Sequence, residues 1–80
     1  MLTVVLQQTL SFIRENNGAN FSELARLTRS VTPFERLTKR SYAMLLAELC
    51  GAKLNFLYED TDGKYRLAAQ GERLLESNEI

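Results

Sequence analysis

Apolar residues in the first part of the chain recur at the spacing of an amphipathic helix. From Leu2 to Ile13 they lie three or four positions apart, and the run is followed by Asn16, Asn17 and Gly18. This spacing places the apolar side chains on one face of a helix. Glycine and asparagine adopt the left-handed backbone conformation that commonly ends a helix. The pattern predicts a first helix that ends at these three residues.

A second helix is predicted from a capping residue and a short apolar run. Ser22 lies just before the run, and its hydroxyl can accept the free backbone N–H groups at a helix start. The predicted helix covers residues 23–29. Phe21, Leu24 and Leu27 form a compact apolar patch. We expect this patch to face the first helix, with Phe21 as a hydrophobic staple before the cap.

The strongest local signal for a helix start is the sequence TPFE at residues 32–35. It supplies a threonine cap, a proline at the first helical position and a glutamate that reaches back to the cap. A third helix is therefore predicted after Thr32, and it continues along a leucine-rich stripe to Gly51. The helix is either continuous or divided in two, because Thr38 or Ser41 can restart it after a kink.

After the third helix, the apolar period changes to two, which is typical of a β-strand. Leu54, Phe56 and Tyr58 alternate with polar or smaller apolar neighbours. Residues 60–63 (DTDG) form a turn signal, and residues 65 and 67 alternate beyond it. The glycine of this turn supplies the positive φ that a tight hairpin loop needs. The pattern predicts a β-hairpin.

The predicted fold class is α+β. Three helices form a bundle, a C-terminal β-hairpin follows, and Leu74 and Leu75 indicate a short terminal helix with residues 76–80 frayed. Eighty residues make one domain, so a single domain spans residues 1–80. A chain of this size buries only about 60% of its unfolded surface, and its core is accordingly thin.

Composition argues against several classes of function. The chain has no histidine, the commonest general base and metal ligand, so we expect no enzyme, no cofactor and no metal site. Asp60 and Asp62 resemble the start of a calcium loop, but Lys64 follows and the twelfth position is not acidic, so the segment is interpreted as a turn. Cys50 is the only cysteine and is interpreted as a core residue in a cytoplasmic protein. We expect neither a signal peptide nor a membrane span.

Positive charge is concentrated in one part of the chain, although ten basic and ten acidic residues give a net charge of zero. Within fifteen residues, five basic residues are opposed by Glu35 alone. Such a cluster is suited to the phosphate groups of nucleic acid. The alternative is a solvated face on which the cations pair with Glu23, Glu35 and Glu48. The basic residues are Arg26, Arg29, Arg36, Lys39 and Arg40 in the cluster, with Lys64 and Arg66 on the hairpin.

Three segments resemble the winged helix-turn-helix family. Residues 21–28 (FSELARLT) look like the first helix of a helix-turn-helix unit, and residues 37–49 (LTKRSYAMLLAEL) look like a reading helix with its trailing core stripe. Residues 63–67 (GKYRL), followed by Gly71 and residues 74–75, are similar to the wing of IclR-type and PadR-type bacterial and archaeal regulators. The resemblance implies a winged helix that binds duplex DNA through residues 21–49, with a wing at residues 54–67.

The resemblance also implies which residues read the bases. The positions that face the major groove fall at the start of the reading helix, where Arg40 is suited to guanine and Ser41 to a base or a phosphate. Apolar side chains at such positions are limited to contact with a thymine methyl group. By resemblance, the groove-facing residues are Lys39, Arg40, Ser41, Ala43 and Met44.

The sequence therefore predicts a DNA-binding winged-helix protein that acts as a small transcriptional regulator. The alternative is a winged helix that serves as a protein-interaction module, with its partner on the surface of Ala43, Met44 and Ala47 and without DNA binding. Two further apolar sets either complete the core or form a homodimer interface. They are Val4, Leu6 and Phe12 near the start of the chain and Leu74, Leu75 and Ile80 near its end.

Overall fold

The computed structural model describes residues 2–31 and 37–77 of the chain. Within these residues lie four helices and a two-stranded antiparallel sheet, which confirms the predicted α+β class and the order of elements. None of the described helices is long and apolar enough to cross a membrane. The elements are α1 (Leu2–Asn16), α2 (Phe21–Val31), α3 (Lys39–Cys50), β1 (Leu57–Glu59), β2 (Tyr65–Leu67) and α4 (Ala69–Ser77).

The end of α1 is formed by the residues that the sequence predicts. Asn17 has a φ of 53° and Gly18 a φ of 115°. The Gly18 N–H donates to the carbonyl of Ile13 over 3.0 Å, and the Asn17 N–H donates to the carbonyl of Arg14 over 3.4 Å. These bonds satisfy carbonyl groups that the last turn of a helix leaves without partners. The chain therefore leaves α1 at the predicted turn.

The start of α2 differs from the prediction, because the helix begins at Phe21 and Asn20 caps it. The Asn20 side-chain oxygen accepts the Glu23 N–H, and the Glu23 carboxylate accepts the Asn20 N–H, each over 2.9 Å. This reciprocal pair satisfies two backbone donors at once. The prediction of Ser22 as the cap was wrong because Ser22 has Ala25, which cannot reach back, at the position where Asn20 has Glu23.

The start of α3 tests the prediction of a continuous helix. Thr38 has an extended backbone, and its Oγ1 accepts the Ser41 N–H over 3.1 Å, so that Thr38 caps a helix beginning at Lys39. A single continuous helix through Thr38 is therefore excluded. The predicted start at residues 32–35 lies outside the described residues. The helix ends before Gly51, as predicted.

Strands β1 and β2 form the predicted hairpin, but the apolar side chains of β1 alternate in the opposite phase. Leu57 pairs with Leu67 and is fully buried, whereas Tyr58 is 48% exposed and Leu54 is 40% exposed. The cause lies at Asn55, whose φ of 51° interrupts the extended backbone before β1 begins. The alternation assumed from residue 54 onwards was wrong because a strand register cannot continue through such a turn.

The hairpin is attached to the turn between α1 and α2. Ala19 and Tyr65 exchange two backbone hydrogen bonds, of 3.0 and 2.7 Å, which add a third antiparallel segment beside β2. Ala19 itself is fully buried. The pairing therefore holds the hairpin against the helical part of the domain.

A buried polar contact joins α1 to α3 inside the core. The hydroxyl oxygens of Thr9 and Tyr42 lie 2.7 Å apart, and each residue is only 1% exposed. The Tyr42 ring packs beside that of Phe21, with centroids 6.2 Å apart. Burial raises the pKa of Tyr42, so its hydroxyl stays protonated. The prediction that Tyr42 is a core residue is confirmed. The apolar core around it consists of Val5, Leu10, Ile13, Ala19, Leu24, Leu37, Leu46, Leu49 and Leu57.

Most of the apolar residues considered for a dimer interface are packed against this core. Val4 is 48% exposed, and Ile80 lies outside the described residues. Dimerisation therefore stays a prediction. Fewer of the candidate apolar residues are exposed for an interface than the sequence alone suggested. The partly buried residues that pack against the core include Leu6, Phe12, Cys50, Leu74 and Leu75.

We expect Thr9 and Tyr42 to show coupling in a double-mutant cycle. Tyr42→Phe leaves the buried Thr9 hydroxyl without this partner, which should lower the free energy of unfolding by about 1 to 3 kcal/mol. Thr9→Val in the same chain removes the second hydroxyl, so the double variant should lose less than the sum of the two single losses. Urea denaturation of the four proteins measures the coupling. If the two losses of unfolding free energy simply add in the double variant, the predicted coupling between Thr9 and Tyr42 is contradicted.

We also expect Gly71 to be required where α4 meets the hairpin. A Cβ at this position would overlap the carbonyl oxygen of Phe56, which already accepts the Ala68 N–H over 2.9 Å. Gly71→Ala should therefore lower the free energy of unfolding by roughly 1 to 3 kcal/mol. Gln70→Ala, at the exposed neighbouring position, is the control and should change it by less than about 0.5 kcal/mol. Equal urea midpoints for the two variants would mean that α4 shifts away from the Phe56 carbonyl without a loss of stability.

Candidate nucleic-acid interface

The outward face of α3 carries the residues that the resemblance assigns to the major groove. Tyr42, Leu46 and Leu49 are buried, which directs the opposite face of the helix to solvent. Met44 is 64% exposed, although it is a large apolar residue. The exposed residues of α3 are Lys39, Arg40, Ser41, Ala43, Met44, Ala47 and Glu48.

The first turn of α3 combines basic side chains with the positive end of the helix dipole. Lys39 and Arg40 are both exposed there, and this turn has no acidic residue. The N-terminal end of a helix carries a partial positive charge that favours anions. The turn is therefore suited to a negatively charged group.

An open cleft of about 290 Å³ lies between α2 and the start of α3. Three of the predicted phosphate contacts line it, namely Arg26 and Arg29 from α2 and Lys39 from α3. The fold thus brings together cations that are up to thirteen positions apart in the sequence. Phe21, Ser22 and Ala25 complete the lining.

The acidic residues considered as partners of this cluster are placed in different ways. Glu23 is engaged in the cap of α2, although it also lies beside Arg26 in a second, mainly apolar cleft. Glu48 is near the far end of α3, nine residues after Lys39, which is about 13 Å along the helix axis. Glu35 and Arg36 lie outside the described residues. The described part of the cluster keeps an excess of positive charge.

Ser41 is exposed, but its side chain also helps to start α3. The Thr38 hydroxyl donates to the Ser41 Oγ over 3.1 Å, while the Ser41 N–H donates back to Thr38 Oγ1. A serine hydroxyl can donate its own proton as well as accept one. Ser41 can therefore contact an acceptor on a ligand without leaving the cap.

On the hairpin, the structure separates the two predicted cations. The Arg66 Nε donates to the Asp60 carboxylate and its Nη1 donates to the Asn17 carbonyl, each over 2.6 Å. Arg66 therefore ties β2 to the end of α1 and has a structural role. Lys64 is exposed beside the turn, where a ligand can reach it.

Asp60 organises the hairpin turn. Its carboxylate accepts the N–H groups of Lys64 and Asp62, each over 2.9 Å, in addition to the Arg66 guanidinium. The hydrogen bonds from the Lys64 N–H and from Arg66 hold the pKa of Asp60 below its ordinary value. The interpretation of residues 60–63 as a turn is confirmed. The link to α1 was missed because Asn17 and Arg66 are 49 positions apart and no local pattern connects them.

Comparison of the chain with protein-family models, with curated proteins and with solved structures finds no match. The four described helices and the hairpin are compatible with a winged-helix layout. The function of the α3 face must therefore be inferred from its own geometry and chemistry.

We expect Asp60 to make the stability of the domain sensitive to acid. Its pKa is lower in the folded chain than in the unfolded chain, so folding favours the ionised carboxylate. This contribution is complete above the ordinary aspartate value of 3.8 and is lost as the pH falls below that value toward the folded-state pKa. Asp60→Asn should be less stable than the wild type at neutral pH, and it should lose less stability on acidification.

Urea midpoints at about pH 7 and about pH 3, followed by circular dichroism, measure both effects. Asp62→Asn, at the exposed neighbouring position, removes the same charge and serves as the control. If Asp60→Asn and Asp62→Asn respond alike at both pH values, the hydrogen-bond network is not the source of the acid sensitivity.

Proposed function

We propose that the chain is a winged helix-turn-helix protein that binds duplex DNA and acts as a small transcriptional regulator. The observation that carries the proposal is the cleft between α2 and α3, which Arg26, Arg29 and Lys39 line together. Arg40 extends the positive surface onto the outward face of α3. The positive end of the α3 dipole lies at the same place.

In the proposed complex, α3 enters the major groove and α2 lies along the phosphate backbone. The major groove admits a helix, and the N-terminal residues of a reading helix are those that contact base edges. Arg26 and Arg29 then contact phosphates beside the groove, while Arg40 contacts a guanine edge or a phosphate. Lys64 adds a contact from the hairpin to the neighbouring backbone.

Phosphate contacts supply most of the affinity in this proposal. Neutralisation of four phosphates by Arg26, Arg29, Lys39 and Arg40 gives a slope of about −3 to −4 in a plot of log affinity against log salt. A contact from Lys64 makes the slope more negative by about 1. Binding of this kind weakens steeply with salt, which makes it simple to distinguish from binding by apolar contacts.

A second candidate function is protein recognition through the same helix. Ala43, Met44 and Ala47 form an exposed apolar strip on α3. Side chains at this spacing suit an amphipathic helix of a partner protein. The two candidates differ in what they require, because DNA binding depends on the cations and partner binding on Met44.

We expect a variant with Lys39→Ala and Arg40→Ala to bind duplex DNA at least about tenfold more weakly than the wild type at low salt. Its salt slope should be less steep by about 2, because two contacts to the DNA are lost. Fluorescence anisotropy with a labelled duplex of random sequence, repeated at several salt concentrations, measures both quantities. Circular dichroism shows whether the variant is folded.

The matched control is a variant with Lys53→Ala and Arg73→Ala, which removes one lysine and one arginine at exposed positions away from the cleft and the α3 face. It should bind nearly as well as the wild type. The proposal fails if both double variants lose affinity equally, or if the folded wild type binds with a Kd above about 0.1 mM at low salt. In the second case the protein-interaction candidate remains, and Met44→Glu should then abolish binding of a purified partner.

A further inference from the structure

We infer that α3 recognises DNA through the methyl groups of thymine, with Met44 and Ala43 as the contacting side chains. This inference rests on the proposed DNA binding and adds the kind of base that is preferred. It concerns the second turn of α3, whereas the phosphate contacts come from α2 and from the first turn.

The outward strip of α3 changes its chemistry after the first turn. Positions 40, 43, 44 and 47 lie on one face because they are three and four apart. Arg40 is the member of this strip with a strong hydrogen-bonding side chain, whereas Ala43 and Ala47 offer no polar atom and the Met44 thioether is only a weak acceptor. Met44 is 64% exposed, so its thioether chain is available to a ligand.

The thymine methyl is the apolar group that base pairs of unmodified DNA present in the major groove. The other groups there are hydrogen-bond donors and acceptors, and an apolar helix face would remove their water without replacing the lost bonds. A flexible methionine adapts to the position of a methyl group, and the small alanine side chain allows the helix backbone to approach the base edges. The strip therefore favours A·T pairs over G·C pairs at the positions it covers.

The length of the strip sets the size of the contact. Ala43 and Ala47 are about 6 Å apart along the helix axis, which corresponds to roughly two base-pair steps. Glu48 is exposed beside the far end of the strip and would be repelled by phosphates. The contact is therefore limited to about two adjacent base pairs at the second turn of α3.

Charge and area favour DNA over a protein as the occupant of this strip. A standard protein interface buries about 800 Å² on each partner, and one methionine with two alanines covers only a small part of such an area. The neighbouring side chains Arg26, Lys39 and Arg40 are complementary to a polyanion. Duplex DNA satisfies both the apolar strip and the cations beside it.

The test compares two duplexes of the same A·T-containing sequence, one with thymine and one with deoxyuridine, which lacks only the methyl group. We expect the wild type to bind the deoxyuridine duplex more weakly by about fourfold for each contacted methyl group, and so by about tenfold or more for two. Met44→Gln has a side chain of similar length and should reduce the affinity ratio of the two duplexes to about fourfold, which is the contribution of the one methyl group that Ala43 still contacts. Its salt slope should remain that of the wild type.

Lys39→Ala is the matched control, and it should weaken binding to both duplexes while leaving their ratio unchanged. A third duplex with 5-methylcytosine in place of cytosine tests the same chemistry by adding the methyl group, and it should bind more tightly than its unmethylated counterpart.

Equal affinity of the wild type for the thymine and deoxyuridine duplexes would overturn the inference while leaving the proposed DNA binding intact. A thymine preference that is the same in the wild type and in Met44→Gln would also overturn it. So would a Met44→Gln variant that no longer binds a purified protein partner but keeps the wild-type ratio of affinities for the two duplexes. Failure to bind any duplex would remove the proposed function itself.

Discussion

The hydrogen bond between the Thr9 and Tyr42 hydroxyls lies on the buried side of α3 and, together with the packing of Leu46 and Leu49, fixes the rotation of the helix about its own axis. Turning the helix would break this bond between two buried hydroxyls, and a buried polar group left without a partner costs about 1 to 3 kcal/mol. With Tyr42 held inside, Ala43 and Met44 must lie outside, because each residue advances an α-helix by about 100°. The same rotation places Lys39 in the cleft beside α2. The composition of the candidate interface is thus a consequence of the contacts that α3 makes on its buried side.

The hairpin is held by a different set of contacts, and these contacts give one of its basic residues, Arg66, a structural role. Tyr65 pairs with Ala19 through the backbone, and Arg66 bridges Asp60 and Asn17. In the sequence, Arg66 is one more cation near a turn. In the folded chain its guanidinium lies against the end of α1, so its removal would weaken the attachment of the hairpin as well as any external contact. No local pattern indicates this, because the partners are 49 positions apart.

Local signals predicted the presence and order of the helices but not all of their starts, and they were insufficient where backbone conformation or packing decides. The end of α1 follows from Asn17 and Gly18, which adopt the expected positive φ values. The cap of α2 is also encoded locally, because Asn20 has a glutamate three positions later and Ser22 has none, but Ser22 was wrongly predicted as the cap. The phase of β1 was not readable, since it depends on a positive φ at Asn55 that its residue type permits but does not require. For the site, the sequence shows that cations are clustered, but the shared cleft arises only from the packing of α2 beside α3.

Under the proposed function, the distribution of charge over the fold allows a chain of zero net charge to bind a polyanion with one face. The described cations of α2 and α3 lie at the cleft or, for Arg40, on the outward face of α3. Glu59 and Asp62 lie on the hairpin, and Glu72 and Glu76 lie on α4. Phosphates attract the first surface and repel the others, so the opposing charges orient the domain while the net attraction stays small. The acidic neighbours of Lys64 also weaken any contact from the hairpin. Under the proposed function, α3 and α2 therefore carry the binding, and the hairpin contributes chiefly by completing the core with Leu57, against which α3 is packed.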